Sequence, residues 1–388
     1  MKHLLRYRLV WRGLRAITRP WLKRKFNYEA DLFTGKGPFL LLCNHNTDWD
    51  PLLLGCAVSE YMSFVASEHI FRWGFKSKLI VFLLDPIARM KGRTASDTAK
   101  SILKRLRSGV SVAMFPEGNR SFNGLTGEIY PAVGKLAKRC GAALVTYRLE
   151  GGYFTSPRWS TGSLRRGKMK GRLIRVYEPE ELNTMDADAI NEAIRRDLYE
   201  NAYAVQRREM TAFCGEALAE GLERVLCICP RCGKTDSMRG EGDALSCSCG
   251  FCARIDEYGF LSGEGVPFDN ITEWDAALTE QLIALADAAD GLIFSDGDMT
   301  LKEIFSKTHE ETVLGCGELA LYRDRIECCG MRFPLAELEG FSIHGAQTVD
   351  MSYGGRSFEI GSDAVRCTRK YMTVIEQLIK QRTEKPLG

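Results

Sequence analysis

The chain of 388 residues is too long for one ordinary hydrophobic core, which predicts two or three domains. Its 45% apolar and 27% charged residues are typical of a soluble globular protein, and no apolar run approaches the ~18 residues that would span a bilayer. The charge is divided unevenly. Residues 1–225 hold 37 basic and 23 acidic side chains, a net charge of +14, whereas residues 226–388 hold 16 and 27, a net charge of −11. This asymmetry predicts different partners for the two parts.

The first segment is strongly basic, since residues 1–25 carry nine Lys or Arg and no acid. Its spacing predicts an amphipathic helix, which can lie on an anionic membrane surface with its tryptophans among the headgroups. The alternative is a helix that packs on its own domain and exposes a solvated basic face. The predicted apolar side consists of Leu4, Tyr7, Val10, Trp11, Leu14, Ile17 and Trp21, while Leu5 and Leu9 interrupt the pattern.

Cysteine usage and the beginning of the sequence predict a location. The first residues lack the apolar stretch and the small-residue cleavage site of a signal peptide, so we expect a cytoplasmic protein. Fourteen cysteines agree with this, because six of them crowd into residues 227–252. Such crowding is typical of metal binding and not of a disulfide framework.

The succession of patterns predicts three domains. From residue 38 to about 180, short apolar runs alternate with helical patterns, which indicates an α/β domain over residues 1–225, a sheet flanked by helices. Residues 226–262 are rich in Cys and Gly. Residues 263–388 contain Gly-bounded alternating runs and a final amphipathic helix, which predict a small antiparallel β domain with a closing helix. That last pattern faintly resembles a PH-like or GRAM-like fold.

Residues 40–55, "LLLCNHNTDWDPLLLG", place a histidine directly after an apolar run. Neutral imidazole is the side chain best matched to removing a proton near neutral pH, and an acid on its other nitrogen would orient it. His45 and Asp50 therefore form a candidate pair. Alternatively, Asp50 followed by Pro51 is a good helix N-cap, and a carboxylate with two oxygens can serve both roles.

Two further stretches carry polar groups after strand-like runs. In "MFPEGNRS", Glu117 and Arg120 lie where α/β sheets tend to bind ligands, although Pro-Glu-Gly can be only a turn. In "DPIARMKGRT", Arg89 follows a Pro-broken apolar run. An arginine there can hold a phosphate by a bidentate bond, and the alternative is an ordinary surface arginine.

Taken together, these stretches resemble the glycerolipid acyltransferases, specifically the 1-acyl-glycerol-3-phosphate acyltransferase group. "NHNTDWD" resembles that family's N-H-x-x-x-x-D block and "FPEGNRS" its F-P-E-G-x-R-S block, while Arg89 matches the arginine of the middle block. The resemblance covers roughly residues 35–180. Thr146 stands where the fourth block usually has a proline, and Asn119 replaces a more usual threonine.

The resemblance implies direct transfer of a fatty acyl group from acyl-CoA or acyl carrier protein to a glycerol-phosphate lipid. His45 would take the proton from the acceptor hydroxyl, and Asp50 would orient His45. Arg89 would bind the substrate phosphate, and Glu117 and Gly118, with Arg120 nearby, would help to bind the acceptor. A lipid acceptor sits in a bilayer, so this resemblance strengthens the membrane interpretation of the N-terminal helix and predicts a peripheral enzyme on the cytoplasmic face.

The cysteine-rich segment resembles a zinc ribbon. In "CPRCGKTDSMRGEGDALSCSCGF", two Cys pairs, each followed by Gly, supply four thiolates that can close a tetrahedral structural site. The predicted ligands are Cys229, Cys232, Cys247 and Cys249, with Cys227 or Cys252 as possible replacements for one of them. A segment of roughly 35 residues could hardly fold without the metal.

The preferred hypothesis is thus a peripheral membrane acyltransferase of phospholipid synthesis, which converts 1-acyl-glycerol-3-phosphate to phosphatidic acid and carries structural Zn²⁺. One alternative is an acyltransferase for a different acceptor, which Thr146 leaves open. Another is a zinc-ribbon protein that binds nucleic acid. Against the latter, residues 226–260 hold four basic and five acidic side chains, the wrong balance for a phosphate backbone.

Overall fold

The structure, a computed structural model, has two compact units. The predicted domain boundaries at residues 225 and 262 stay predictions. The first unit consists of Met1–Arg158 and Leu164–Cys214, and the second consists of Trp159–Ser163 and Gly215–Gly388. The residues that the structure describes are 2–72, 74–89, 95–305 and 310–384.

A seven-stranded sheet forms the centre of the first unit. Its strands are β1 (Glu29–Ala30), β2 (Phe39–Cys43), β3 (Met62–Ser67), β4 (Ile87–Arg89), β5 (Ser111–Met114), β6 (Ala143–Glu150) and β7 (Lys170–Tyr177). They lie in the order β1-β7-β6-β2-β5-β3-β4. Only β6 and β7 pair antiparallel, and the other neighbours are parallel. The predicted α/β domain with a mixed sheet is confirmed.

Strand β2 lies in the middle of this sheet, and all five of its residues are buried. Phe39, Leu41 and Cys43 point into one apolar cluster, while Leu40 and Leu42 point into another on the opposite face. A strand covered on both faces needs no polar alternation, which explains the continuous apolar run in the sequence. The helices of this unit are α1 (Lys2–Phe26), α2 (Asp50–Ala57), α3 (Phe75–Leu84), α4 (Ala95–Arg107), α5 (Pro131–Arg139), α6 (Gly152–Thr155), α7 (Pro179–Thr184), α8 (Ala187–Leu198) and α9 (Ala202–Glu209).

Helix α1 forms as predicted, and it fits the alternative in which the helix packs on its own domain. The Trp11 side chain is only 5% exposed, and its Nε1 donates to the carbonyl of Val58 at 3.2 Å. The Tyr7 ring stacks on Tyr61 at 5.3 Å. Much of the predicted apolar side therefore packs on its own domain, because these aromatic rings complete the core. Within the described residues, none of the helices is both long and apolar enough to cross a membrane.

The second unit contains two antiparallel sheets. The predicted C-terminal antiparallel sheet is thus confirmed. Its resemblance to a PH-like or GRAM-like fold stays a prediction. The smaller sheet has the strands β8 (Met238–Glu241), β9 (Ala244–Cys247), β10 (Cys252–Ile255) and β11 (Leu261–Ser262) in the order β11-β10-β9-β8, and the helix α10 (Ile271–Ala288) follows it.

The larger sheet has seven strands and a closing helix, α11 (Arg369–Glu384). Tyr371, Val374 and Ile375 of α11 lie in one buried apolar cluster with side chains of this sheet. The strands are β12 (Leu292–Phe305), β13 (Glu310–Tyr322), β14 (Arg325–Cys328), β15 (Met331–Pro334), β16 (Leu338–His344), β17 (Thr348–Tyr353) and β18 (Arg356–Gly361). Their order is β15-β14-β13-β12-β18-β17-β16.

Candidate active site and cysteine cluster

The three sequence stretches singled out for chemistry meet at one edge of the first unit's sheet. Strands β2, β5, β3 and β4 are consecutive parallel neighbours, so their carboxyl ends lie on the same side. His45 follows β2, Glu117 follows β5, and Arg89 is the last residue of β4. Ligands of open α/β sheets bind at this kind of edge.

His45 and Asp50 form the predicted pair. The distance from His45 Nδ1 to Asp50 Oδ2 is 2.8 Å, and the histidine side chain is 20% exposed whereas the aspartate is fully buried. An ionised carboxylate only accepts hydrogen bonds, so this contact requires the proton on Nδ1 and leaves Nε2 as an acceptor. The imidazole also stacks on Phe115 at a centroid distance of 4.3 Å, which fixes the plane of the ring.

The Asp50 carboxylate points backward along the chain and not into helix α2. Its Oδ2 accepts from the backbone N–H groups of Asn46 at 2.6 Å and Thr47 at 2.8 Å, and its Oδ1 accepts from Thr47 Oγ1 at 2.8 Å. The helix has Trp49 at its N-cap position without a side-chain cap. The capping alternative for Asp50 is therefore wrong. The carboxylate instead closes the loop that carries His45.

Glu117 holds the main chain of His45 in place. Its Oε1 accepts from the His45 N–H at 2.7 Å and its Oε2 from the Gly127 N–H at 2.5 Å. Removal of the carboxylate from water raises the pKa of Glu117 to about 8, although both backbone hydrogen bonds act in the opposite direction. The observed contacts thus give Glu117 a positioning role, and binding of the acceptor by this residue stays a prediction.

Gly118 lies beside the guanidinium of Arg89. A Cβ atom on Gly118 would be 2.7 Å from Arg89 Nη1, and the backbone φ of +73° also favours glycine. The glycine therefore lets an exposed cation from β4 approach the loop that follows β5. The middle block thus lies beside the "FPEG" block in the structure.

Arg120 lies in the same loop and pairs with Asp48 at 3.3 Å. Arg158 also holds this loop through hydrogen bonds. It is a buried residue that the sequence did not single out. Arg158 Nη1 donates to the carbonyl of Arg120 at 3.0 Å, and Nη2 donates to Asn119 Oδ1 at 3.4 Å. Its guanidinium also lies 4.0 Å from the centroid of the Phe122 ring. Asn119 thus has a structural contact with Arg158.

A second buried carboxyl group supports the histidine loop from behind. Glu200 Oε2 accepts from Asn44 Nδ2 at 2.8 Å and from Asn46 Nδ2 at 2.6 Å, so the residues on both sides of His45 bind one oxygen. The other oxygen, Oε1, has no hydrogen-bond partner among the described residues. Burial raises the pKa of Glu200 to about 8. Nothing in the sequence marks Glu200, because it lies 154 residues from Asn46.

Thr146, at the place of the family's proline, is fully buried in β6. Its Oγ1 donates to Asp197 Oδ2 at 2.9 Å, and Tyr177 Oη donates to the same oxygen at 2.6 Å. The threonine hydroxyl is therefore used inside the domain, between the sheet and helix α8. This contact gives the departure from the family pattern a structural explanation.

The four predicted cysteine ligands lie together in the second unit. The Sγ atoms of Cys229, Cys232, Cys247 and Cys249 are all within 4.8 Å of one another. The contacts Cys229–Cys249 and Cys232–Cys247 measure 3.6 and 3.8 Å. Four thiolates around a tetrahedral Zn²⁺ at ~2.3 Å would be separated by about 3.8 Å, so the donor set fits this ion.

The neighbouring cysteines lie outside this cluster. Cys227 is buried in the apolar cluster of the larger sheet, and Cys252 is exposed on β10. Each pair of the cluster ends in a glycine with positive φ, +70° at Gly233 and +91° at Gly250, as the two turns require. The geometry favours the predicted ligand set over the replacements.

Comparison with known proteins gives a family match over the region of the candidate active site. Residues 23–150, which include all the predicted residues at the sheet edge, match the family model described as Acyltransferase. This part of the chain thus matches an acyltransferase domain, and the expected class of enzyme is confirmed at this level.

Two curated plant proteins that the chain resembles are also acyltransferases. The chain is 28% identical over 177 residues to the chloroplastic 1-acyl-sn-glycerol-3-phosphate acyltransferase LPAT1 of Arabidopsis thaliana, with 44% of this chain and 47% of that protein covered. It is 26% identical over 156 residues to the chloroplastic 1-acyl-sn-glycerol-3-phosphate acyltransferase BAT2 of Brassica napus, with 39% and 44% covered. The chain spans about half the length of these curated relatives.

Among solved structures, the chain is similar to the 1-acyl-sn-glycerophosphate acyltransferase PlsC of Thermotoga maritima. The identity is 16% and the TM-score is 0.41, with 51% of this chain and 79% of that chain covered.

Proposed function

We propose that this protein transfers a fatty acyl group from a thioester to the free hydroxyl of a 1-acyl-glycerol-3-phosphate and so forms phosphatidic acid. The observation that carries the proposal is the 2.8 Å contact between His45 Nδ1 and Asp50 Oδ2, which leaves Nε2 of a partly exposed imidazole ready to accept a proton. The relatives named above carry this reaction in their names.

The proposed chemistry needs no covalent enzyme intermediate, because a thioester is already activated. His45 Nε2 takes the proton from the acceptor hydroxyl while the oxygen attacks the thioester carbonyl. The buried Asp50 carboxylate stabilises the imidazolium that forms. When the tetrahedral intermediate collapses, the C–S bond breaks and the leaving sulfur takes the proton from His45. The products are an ester and a free thiol.

The basic side chains at the sheet edge supply the acceptor site. Arg89 is exposed beside Gly118, at the same edge as His45, and its planar guanidinium matches a phosphate monoester. Arg120, paired with the exposed Asp48, adds a second cation nearby. The acyl donor is acyl-CoA or acyl carrier protein, and the acceptor is presented by the cytoplasmic face of a membrane to which the protein binds peripherally.

The proposal for the second unit is a structural Zn²⁺ site. Cys229, Cys232, Cys247 and Cys249 would hold the ion, which would supply the cross-link that this small sheet needs. Four thiolates leave no open coordination position, so this ion takes no part in the acyl transfer.

An acylation assay tests the proposed reaction. The purified protein is incubated with lysophosphatidic acid and either acyl-CoA or an acyl carrier protein thioester, and phosphatidic acid is measured. We expect product with one donor, and His45→Ala lowers kcat by about 10³-fold, the order expected for loss of a general base. The exposed His344 of the second unit gives the matched control, His344→Ala, which retains activity. Equal turnover by wild type and His45→Ala would refute the assigned base.

A further inference from the structure

Helix α3 exposes a stripe of large apolar side chains to the surface of the domain. Of its ten residues only Ser77 is buried. Phe75, Leu79 and Phe82 are 79%, 45% and 58% exposed. At 100° per residue these three lie within an arc of about 60°, opposite Ser77. A helix of a soluble domain normally turns such a stripe toward the core.

The exposure does not come from loose attachment of α3. Tyr61 Oη donates to the carbonyl of Leu84 at 2.8 Å, and Arg6 Nη2 of α1 donates to the carbonyl of Phe82 at 3.0 Å. The last turn of the helix is thus fixed to the domain through its backbone, and the Arg6 guanidinium also lies 4.4 Å from the centroid of the Phe82 ring. The outward stripe is a feature of the anchored helix.

Positive charge surrounds this stripe. Lys76 and Lys78 flank it on either side, and α3 contains no acidic residue. The adjacent helix α1 is also free of acid, and its Leu5 and Leu9, one turn apart, are 60% and 58% exposed. Large exposed side chains of this kind mark interaction surfaces when they occur together. Lysines that flank an apolar stripe are complementary to anionic headgroups, which their long stems can reach.

We propose that this face of α3, with Leu5 and Leu9 of α1, inserts into the surface of an anionic lipid bilayer. Ten helical residues span about 15 Å, half the thickness of the hydrocarbon layer, so α3 lies in the plane of the interface and does not cross it. A second copy of the chain fits this face less well, since it would bring the same lysines together. The membrane contact thus comes from α3 and from the two leucines that interrupt the predicted pattern of α1.

This orientation brings Arg89 toward the membrane. Its relevance to catalysis rests on the proposed function, in which Arg89 binds the substrate phosphate. Arg89 follows the last residue of α3 by five positions, at the end of β4. When α3 lies in the plane of the interface, this short connection keeps Arg89 close to the membrane surface. A 1-acyl-glycerol-3-phosphate can then meet the arginine without leaving the bilayer.

Vesicle binding by the full chain tests the inserted face. The probes are vesicles of phosphatidylcholine with phosphatidylglycerol, and phosphatidylcholine alone serves as the neutral reference. We expect the double variant Phe75→Ser/Phe82→Ser to need at least ~10-fold more anionic lipid for half-maximal binding, because two exposed phenyl rings no longer insert. The matched control is Leu285→Ser/Leu292→Ser, which removes two exposed apolar side chains of the second unit and leaves binding unchanged.

Two results would overturn the inference. One is unchanged vesicle binding by the α3 variant. The other is a lipid-free dimer of the wild type that the α3 variant abolishes, since the face would then be occupied by a second copy.

An activity measurement separates this inference from the proposed reaction. The α3 variant should acylate a short-chain, fully dissolved acyl-glycerol-phosphate as fast as the wild type does, while losing at least ~10-fold of its rate on the same headgroup in vesicles. Equal loss on both acceptors would contradict a membrane role for α3. Absence of activity of the wild type on either acceptor would refute the proposed reaction, while the vesicle-binding result would still decide the membrane face.

Discussion

The cysteine cluster and the candidate active site both assemble reactive side chains, but they draw on very different lengths of chain. The cluster takes all four thiols from one short segment, in which Cys229 and Cys249 are 20 positions apart. The candidate active site joins the loops after β2 and β5 with the end of β4, and Glu200 supports it from a distance of 154 residues.

The difference lies in what brings the groups together. In the cluster, two similar turns place the thiols, and the proposed metal is the cross-link that a small sheet needs. At the candidate active site, parallel pairing of β2, β5, β3 and β4 aligns the strand ends, and buried hydrogen bonds hold the histidine loop. We therefore expect loss of one ligand to unfold the first region, whereas loss of one functional group at the second should leave the fold intact.

The largest effect is expected at the cysteine cluster. The purified protein should contain one zinc ion per chain, and Cys247→Ser should lose it, because three thiolates leave the tetrahedral site incomplete. The metal contributes on the order of 10 kcal/mol to comparable structural sites, so the segment should become sensitive to protease. Metal analysis and limited proteolysis measure both effects. Cys252→Ser, at an exposed position outside the cluster, is the matched control, and equal zinc loss in the two variants would contradict the ligand assignment.

Next in size is the replacement of the buried acid. Asp50→Asn retains the shape of the side chain but can donate to Nδ1 of His45, which favours the wrong tautomer. We expect a fall in kcat of about 10⁴-fold with an unchanged circular dichroism spectrum. Asp48→Asn, in the same loop but at an 81% exposed side chain, should lose less than about tenfold. A small effect of Asp50→Asn on kcat would show that the carboxylate does not control the histidine.

A smaller effect is expected at the phosphate site. Arg89→Ala should raise KM for lysophosphatidic acid by about 10- to 100-fold, as expected for a lost charge-assisted hydrogen bond, with little change in kcat. Activity on 1-acylglycerol, which has no phosphate, should be the same for variant and wild type. Arg139→Ala, at an exposed arginine of α5, is the control. If KM rises equally for both acceptors, Arg89 acts on something other than the phosphate.

The smallest effect is a pH dependence at Glu200. Its pKa of about 8 in the folded protein lies above the unfolded value, so its contribution to stability is present at low pH and is lost as the pH rises toward 8. Glu200→Gln stays neutral, and its advantage in free energy of unfolding over the wild type should grow by at most ~1.4 kcal/mol per pH unit between pH 5 and 8. Urea unfolding at several pH values measures the gap. Glu180→Gln, at an exposed position, should show no such trend.

The sequence predicts the local parts of both regions because the relevant groups lie within a few residues of each other. The His45–Asp50 contact spans five positions, and the cysteine pairs end in glycines that their turns require. Order along the chain also predicts which strand ends carry polar groups. Parallel sheet pairing then brings Arg89 beside Gly118 without any further signal in the sequence.

Long-range packing decided what the sequence could not predict. No sequence motif marks Arg158 or Glu200. Only the folded sheet brings their side chains into contact with the loops of the candidate site. For α1, helical periodicity correctly identified the apolar side. It could not tell whether that side packs on a membrane or on the core of its own domain. Trp11 is buried against Tyr61, while the apparently misplaced Leu5 and Leu9 remain exposed.

The main chain of His45 is tied to the neighbouring loop at both of its polar groups. Its N–H donates to Glu117, and its carbonyl accepts from the Ser121 N–H at 3.0 Å. Because both contacts come from residues 117 and 121, the length of the loop between them fixes the position of the His45 imidazole relative to the sheet. An insertion or deletion between these two positions would therefore displace the His45 imidazole relative to the strand ends.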